Sequence, residues 1–256
     1  MRRIRLIVEY EGSAYVGWQT QPNGIAVQQK IEEAIENVTG VRSVLQGSGR
    51  TDSGVHALAQ VAHFDTNVRM PADKFAFALN TYLPGDIRIL YSDEAPETFH
   101  ARFSAKRKYY RYTVQMGPHA DVFTRRTALH VHAPLSFDGL QSTAAEYVGE
   151  HDFRAFMSAG STMENTLRTI FSSEWTAEGN YLHYDVCGSG FLYNMVRIMV
   201  GTMLEINSGR LPRDSVQKAL STADRSFAGA TAPAHGLTLL RVVYPDFDTK
   251  EVLGRP

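Results

Sequence analysis

The chain has 256 residues, with 26 lysines and arginines against 27 aspartates and glutamates, a formal net charge of −1. At 43% hydrophobic and 21% charged it has an ordinary soluble globular composition, neither disordered nor fibrous, and at this length folding buries roughly 70–75% of the unfolded surface without a disulfide or metal staple. The single cysteine, Cys187, excludes an internal disulfide framework and any paired-cysteine zinc or redox motif, and it fits a reducing compartment.

The N-terminus begins basic, but Glu9 and Glu11 interrupt any apolar leader segment. Ile4, Leu6, Val8 and Tyr10 alternate with Arg3, Arg5, Glu9 and Glu11 around them, which predicts a half-buried strand. Val27, Ile31, Ala34, Ile35 and Val38 recur at helical spacing and Gly40 supplies the stop. A short strand over Ser43–Gln46, a third over Gln60–Phe64, a helix from Pro71 to about Asn80, and a strand from Ile87 to Tyr91 after the Pro84-Gly85 turn complete the first half. In the second half Tyr110, Tyr112 and Val114 alternate with Tyr109, Arg111 and Thr113 in a strand over Lys108–Gln115. A helix follows over Ser136–Val148, then strands near Arg168–Trp175 and Tyr181–Cys187. A long helix over Phe191–Ile206, a shorter one from Pro212 to Leu220 and a last strand over Leu237–Val243 end the series. The Phe191–Ile206 stretch contains Asn194, Arg197 and Glu205 and falls short of the roughly 20 apolar residues of a membrane span. The pattern predicts a cytoplasmic α+β protein with a mixed or antiparallel sheet, in two halves over residues 1–105 and 106–256, and a cleft between halves is the first place to seek a site.

A balanced total charge argues against a nucleic-acid binder, but the balance is a cancellation. Residues 100–130 carry Arg102, Lys106, Arg107, Lys108, Arg111, Arg125 and Arg126 against Asp121 alone, a net +6. Residues 131–190 carry eight acids against Arg154 and Arg168, a net −6. The basic run is interleaved with Tyr109, Tyr110 and Tyr112, a mixture that attracts phosphate and stacks on unpaired bases; the plainer alternative is a solvated strand face beside a packed aromatic one. If the basic surface meets RNA, the acidic segment should turn away from the phosphates.

The sharpest local feature is Gly47-Ser48-Gly49-Arg50-Thr51-Asp52-Ser53-Gly54-Val55-His56. Its glycine spacing fits neither a dinucleotide fingerprint nor a P-loop, which leaves an aspartate on a loop bracketed by Gly49 and Gly54. In extended backbone Arg50 and Asp52 point the same way, and a nearby cation keeps a carboxylate ionised; an Asx-turn with a surface ion pair is the competing account. Arg197, alone in the apolar run Met195–Val200, either snorkels or meets a buried anion, with Gly188-Ser189-Gly190 before it allowing close backbone approach. His130 and His132 share a strand face but lack a third ligand at recognisable spacing, and Cys187 reads as a small core residue.

Taken together, Gly49-Arg50-Thr51-Asp52-Ser53-Gly54-Val55-His56-Ala57 closely resembles the signature of the tRNA pseudouridine synthase A family. The resemblance extends over nearly the whole chain, through Glu9-Tyr10-Glu11-Gly12-Ser13, Gly17-Trp18-Gln19, Asn80 with Leu83–Ile87, Phe99–Ala105, Tyr110-Arg111-Tyr112, His151-Asp152-Phe153, Arg168-Thr169-Ile170, Phe191-Leu192 with Met195-Val196-Arg197, and Gly236-Leu237. It implies the pseudouridine synthase fold, two ferredoxin-like or RRM-like α+β halves with a mixed, mainly antiparallel sheet and a central cleft. It implies an isomerase that converts uridine to pseudouridine at positions 38, 39 and 40 of the tRNA anticodon stem-loop. Asp52 matches the catalytic aspartate, Arg50 the arginine tied to flipping the target nucleotide, and Tyr110 the tyrosine that stacks on the uracil. Arg197 matches the arginine that pairs with the aspartate, and Leu237 an apolar residue against the base. Arg102, Lys106, Arg107, Lys108 and Arg111 become the RNA-binding patch. The resemblance further implies a homodimer whose two subunits contact one tRNA, with no metal or organic cofactor and no membrane. Ser53 stands where alanine is common and Lys108-Tyr109 where arginines are frequent; the first stays small and the second leaves Tyr110 in register. The rival reading is a non-catalytic RNA-binding or RNA-folding protein using the same surface.

Overall fold

A computed structural model describes residues 1–158, 160 and 163–254. In chain order the regular elements are β1 (Arg2–Tyr10), α1 (Val27–Thr39), β2 (Gln46–Gly47), β3 (His56–Thr66), α2 (Phe75–Asn80), β4 (Ile87–Ala95), β5 (Arg107–Met116), β6 (Leu129–Val131), α3 (Phe137–Ala145), β7 (Gly149–Asp152), β8 (Leu167–Glu178), β9 (Tyr181–Gly188), α4 (Met195–Asn207), α5 (Ser215–Thr222), β10 (Leu237–Val243) and α6 (Thr249–Leu253). They make two compact units, the first from Met1–Lys106 with Leu239–Pro256 and the second from Arg107–Thr238. The sequence reading put all of 106–256 in the second half, whereas Leu239 and the residues after it pack with the first. The architecture is α+β, and its pairings are antiparallel except for the parallel β5–β6 pair among those with a defined register. No helix among the described residues is long and apolar enough to cross a membrane.

In the first unit the strand order is β4-β1-β3-β10, with β2 beside β3. α1 forms where the helical spacing places it, burying Val27, Ile31, Ala34 and Ile35, and Gly40 ends it at φ 73°. β1 departs from the expected one-sided alternation. Ile4 to Val8 are all buried, Arg5 included, because β1 lies between β3 and β4 and the chain's end covers its second face. The Arg5 guanidinium makes paired hydrogen bonds to Asp93 and lies 3.5 Å from the Phe247 ring centroid. Tyr244 adds to this cover: its hydroxyl donates to the Ala101 carbonyl at 2.7 Å and its ring packs on Phe99 at 5.0 Å. A charged side chain inside an apolar layer is tolerable when it is paired and stacked in this way.

In the second unit the order is β5-β9-β8-β7, with β6 on β5. Tyr110, Tyr112 and Val114 are buried while Tyr109, Arg111 and Thr113 are half-buried, as the alternation predicts. Trp175, Tyr184 and Tyr147 fill the layer between strands and helices. The Ser173 hydroxyl donates to the Ala144 carbonyl at 2.7 Å, and the Trp175 indole N–H donates to the Met203 sulfur at 3.3 Å. α4 begins at Met195 rather than Phe191, since Asn194 adopts a left-handed conformation (φ 60°) that no helix propagates. The two-residue β2, the early end of α3 and the strand β7 also differ from the sequence reading; Gly149-Glu150-His151-Asp152 has no apolar alternation and is a strand only because β8 supplies its partners.

Candidate active site

The aspartate loop spans residues 48–55, between β2 and β3. It leaves the sheet under tight restraint. The Ser48 N–H donates to the Val61 carbonyl at 2.7 Å, the Ser48 hydroxyl bonds the Gln60 amide oxygen, and the Gln60 NH2 donates to the Gly49 carbonyl at 2.8 Å. Further on, the Thr51 carbonyl accepts the Trp18 N–H at 3.1 Å and its hydroxyl meets the Tyr10 hydroxyl at 2.7 Å. Asp52 and Val55 close a turn at 3.1 Å, with Gly54 at φ 79°, a conformation that favours glycine. The Ser53 hydroxyl donates to the Tyr15 carbonyl. Asp52 is half-buried and Arg50 exposed.

The straps come from the segment after β1. Gly12 and Gly17 are glycines by necessity: a Cβ on Gly12 would lie 2.0 Å from the Val55 oxygen, and one on Gly17 (φ 110°) 2.6 Å from the Thr51 oxygen. The Gly12 N–H donates to His56 Nδ1 at 2.9 Å. Trp18 is buried over Gly47 and tilts against Tyr10 at 5.8 Å. Burial first, and the Asp52 carboxylate in smaller part, push the Tyr10 phenol well above its ordinary range, so it stays a neutral hydrogen-bonding group. Sequence reasoning matched these residues by resemblance without seeing that they hold the loop.

The other candidate residues lie in the second unit. Tyr110 is buried on β5 opposite Val186, its ring nearly perpendicular to that of Phe191 with centroids 5.1 Å apart. Arg197 is half-buried in the first turn of α4. Its Nε donates to the Ala232 carbonyl and its Nη1 to Asn194 Oδ1, both at 2.7 Å, an anchored guanidinium rather than a snorkelling one. Asn194 passes the restraint on, donating to Ser158 Oγ at 2.8 Å. Leu237 is buried at the start of β10. Just before it, Gly236 lies under the Tyr112 ring, whose hydroxyl donates to the Pro233 carbonyl at 2.8 Å. Asn194 was missed because its role follows from a left-handed backbone that no spacing announces.

Of the basic residues, Arg102, Lys106 and Arg107 are exposed and Lys108 is half-buried. Arg107 lies 4.8 Å from the Phe171 ring centroid. Arg111 is paired through two 2.7 Å hydrogen bonds with Asp185, its register partner on β9. This corrects the expectation that the acidic segment turns wholly away, because the pairing of β5 with β9 sets one of its acids against the basic strand. His130 bonds the Gly117 carbonyl at 2.7 Å, and Cys187 is buried.

The profile of the family described as tRNA pseudouridine synthase matches residues 6–104 and 143–245. The tRNA pseudouridine synthase A of Ruminiclostridium cellulolyticum is 44% identical over 95% of this chain and 100% of its own length. That of Geobacter sp. strain M21 is 45% identical over 96% of this chain and 100% of its own. Among solved structures, a Cbf5-Nop10-Gar1 complex aligns over 92% of this chain and 48% of its own with 12% identity and a TM-score of 0.39. The sequence relationships make the chain an isomerase. It belongs to the tRNA pseudouridine synthase family.

Proposed function

We propose that the chain converts uridine to pseudouridine at positions 38, 39 and 40 of the tRNA anticodon stem-loop, as a cytoplasmic homodimer without metal or organic cofactor, with Asp52 as the catalytic carboxylate. The reaction breaks the N1–C1′ bond, turns the uracil and rejoins C5 to C1′, so no atoms or electrons enter. One carboxylate suffices, either as a nucleophile at C1′ or C6 or as a base toward a sugar proton. The observation that carries this reading is the manner in which Asp52 is held. A half-buried carboxylate sits on a loop whose backbone is tied at Ser48, Gly49, Thr51 and Val55, with the Ser53 hydroxyl as a further tie. Surface Asx-turns have no need of such restraint, whereas catalysis requires a reacting group kept in place.

The target base is stacked in an RNA stem, and extruding it costs a few kcal/mol. Arg50 is the group proposed to hold the strand open, Tyr110 and Leu237 the surfaces that take the uracil, and Arg197 the cation that keeps the carboxylate charged. Arg102, Lys106, Arg107, Lys108 and Arg111 provide the attraction for the backbone phosphates.

The deciding experiment is Asp52→Asn on an unmodified tRNA transcript, with pseudouridine scored by carbodiimide labelling and primer extension. The expected result is undiminished tRNA binding and no pseudouridine. Modification at the native rate would remove Asp52 from the chemistry. A native chain that binds the transcript but never modifies it would make this a non-catalytic RNA-binding protein, and free uracil in the reaction would make it a cleaving enzyme.

A further inference from the structure

Within the first unit, the segment between β4 and β5 does something unusual with its aromatic residues. Phe99 and Ala101 are buried, yet Phe103, two positions on, is 74% exposed. The ring is nonetheless held. It packs on the His100 imidazole at 4.4 Å and 37°, and the Arg102 guanidinium lies 5.6 Å from its centroid. His100 in turn meets His63 edge-on at 4.9 Å.

The backbone beneath is fixed by the same two imidazoles. His63 Nδ1 accepts the Ala101 N–H at 3.2 Å, and His100 Nδ1 accepts those of Arg102 at 3.1 Å and Phe103 at 3.4 Å. The His100 N–H donates to the Ser104 hydroxyl at 3.0 Å, and the Ser104 N–H returns to the His100 carbonyl at 2.9 Å. Only a neutral imidazole can accept at Nδ1. Burial, then the positive charge of Arg3, holds both rings below the ordinary histidine range, His63 down to about 4.

The surroundings select the partner. From Thr98 to Ala120 the chain has no aspartate or glutamate, and Arg102 and Lys106 are both exposed. A largely exposed aromatic ring with a guanidinium over it, in a stretch of sequence free of acids, matches a base with its phosphate. Holding the ring in place beforehand lowers the entropy lost on binding.

We infer that Arg102 and Phe103 form a platform on which an unpaired base of the RNA stacks beside a phosphate, apart from the target uracil, with His63 and His100 as its positioning residues. The inference rests on the RNA-modifying reading above. Phe103 contributes the stacking face, Arg102 the charge, and the imidazoles the fixed turn that aims both.

The test measures binding of an unmodified tRNA transcript by filter retention. Phe103→Ala is expected to weaken binding by about ten- to a hundredfold, while Phe103→Trp retains it and adds indole fluorescence that falls in proportion to bound transcript. His100→Ala should weaken binding in the same way. His100→Asn, whose side-chain oxygen accepts the N–H two residues on, should restore it. Native affinity in Phe103→Ala overturns the platform, as does added indole fluorescence that varies with protein concentration in the absence of RNA, which would mark a contact between copies. Equal affinities for His100→Ala and His100→Asn overturn the positioning role. A native chain that binds transcript without modifying it fails the earlier reading and leaves the platform intact, whereas one that modifies transcript while Phe103→Ala binds equally well fails the platform alone.

Discussion

A single methyl group at position 12 separates the loop's fold from its use. In Gly12→Ala the new carbon would lie 2.0 Å from the Val55 carbonyl oxygen, a backbone atom with no rotamer by which to yield. The relief available is a shift of the turn that carries Asp52, since β1 on the other side is packed between two strands. Displacing a reacting group by about 1 Å costs on the order of a hundredfold in rate, while local overpacking costs about 1–3 kcal/mol. Gly12→Ala is therefore expected to remain folded, with a lowered urea midpoint, and to lose ten- to a hundredfold in single-turnover pseudouridine formation. Native turnover would show that the loop tolerates displacement and that Asp52 needs no fixed position.

At the scale of elements, α4 shows how a helix start serves a side chain. Asn194 pays a backbone cost of about 1–2 kcal/mol for its left-handed conformation, and its amide oxygen gains the Arg197 guanidinium at 2.7 Å. The two effects come apart by substitution. Asn194→Gly keeps the conformation freely but drops the contact, so thermal stability should stay near native while turnover falls. Asn194→Ala should lose both. If both variants turn over at the native rate, Arg197 does not depend on this anchor. Here the sequence reading and the structure part for a physical reason. The loop that carries Asp52 was legible because bracketing glycines announce it, and the burial of Tyr110, Tyr112 and Val114 because a period of two reports it directly. The bonds from Tyr10 and Trp18 to the loop were not legible, since an aromatic residue looks like core whatever its hydroxyl or backbone amide does. Neither were those of Gln60, because the spacing of a strand does not reveal which loop atoms a side-chain amide meets. Nor was the buried Arg5, whose cover, Phe247, arrives from the far end of the chain.

For the molecule as a whole, the net charge of −1 conceals a +6 segment, and the pairing of β5 with β9 decides how much of it is available. Arg111 and Asp185 are joined by two hydrogen bonds, but their side chains are 39% and 28% exposed. A pair this open contributes at most about 1 kcal/mol, little enough for an RNA phosphate to compete for the arginine. If β5 meets the RNA as proposed, Asp185 would set a limit on RNA affinity that composition does not reveal. Removing its charge in Asp185→Asn should free Arg111, tighten tRNA binding and steepen the fall of affinity with salt, because one more cation then displaces counterions from the RNA. Arg107→Glu, at an exposed site on the same strand, should do the reverse, weakening binding and reducing the slope of log K against log salt by about one. Titrations of one transcript across a salt series read both effects. Opposite changes in slope would place β5 along the RNA backbone; an unchanged slope in both variants would move the RNA path off this strand.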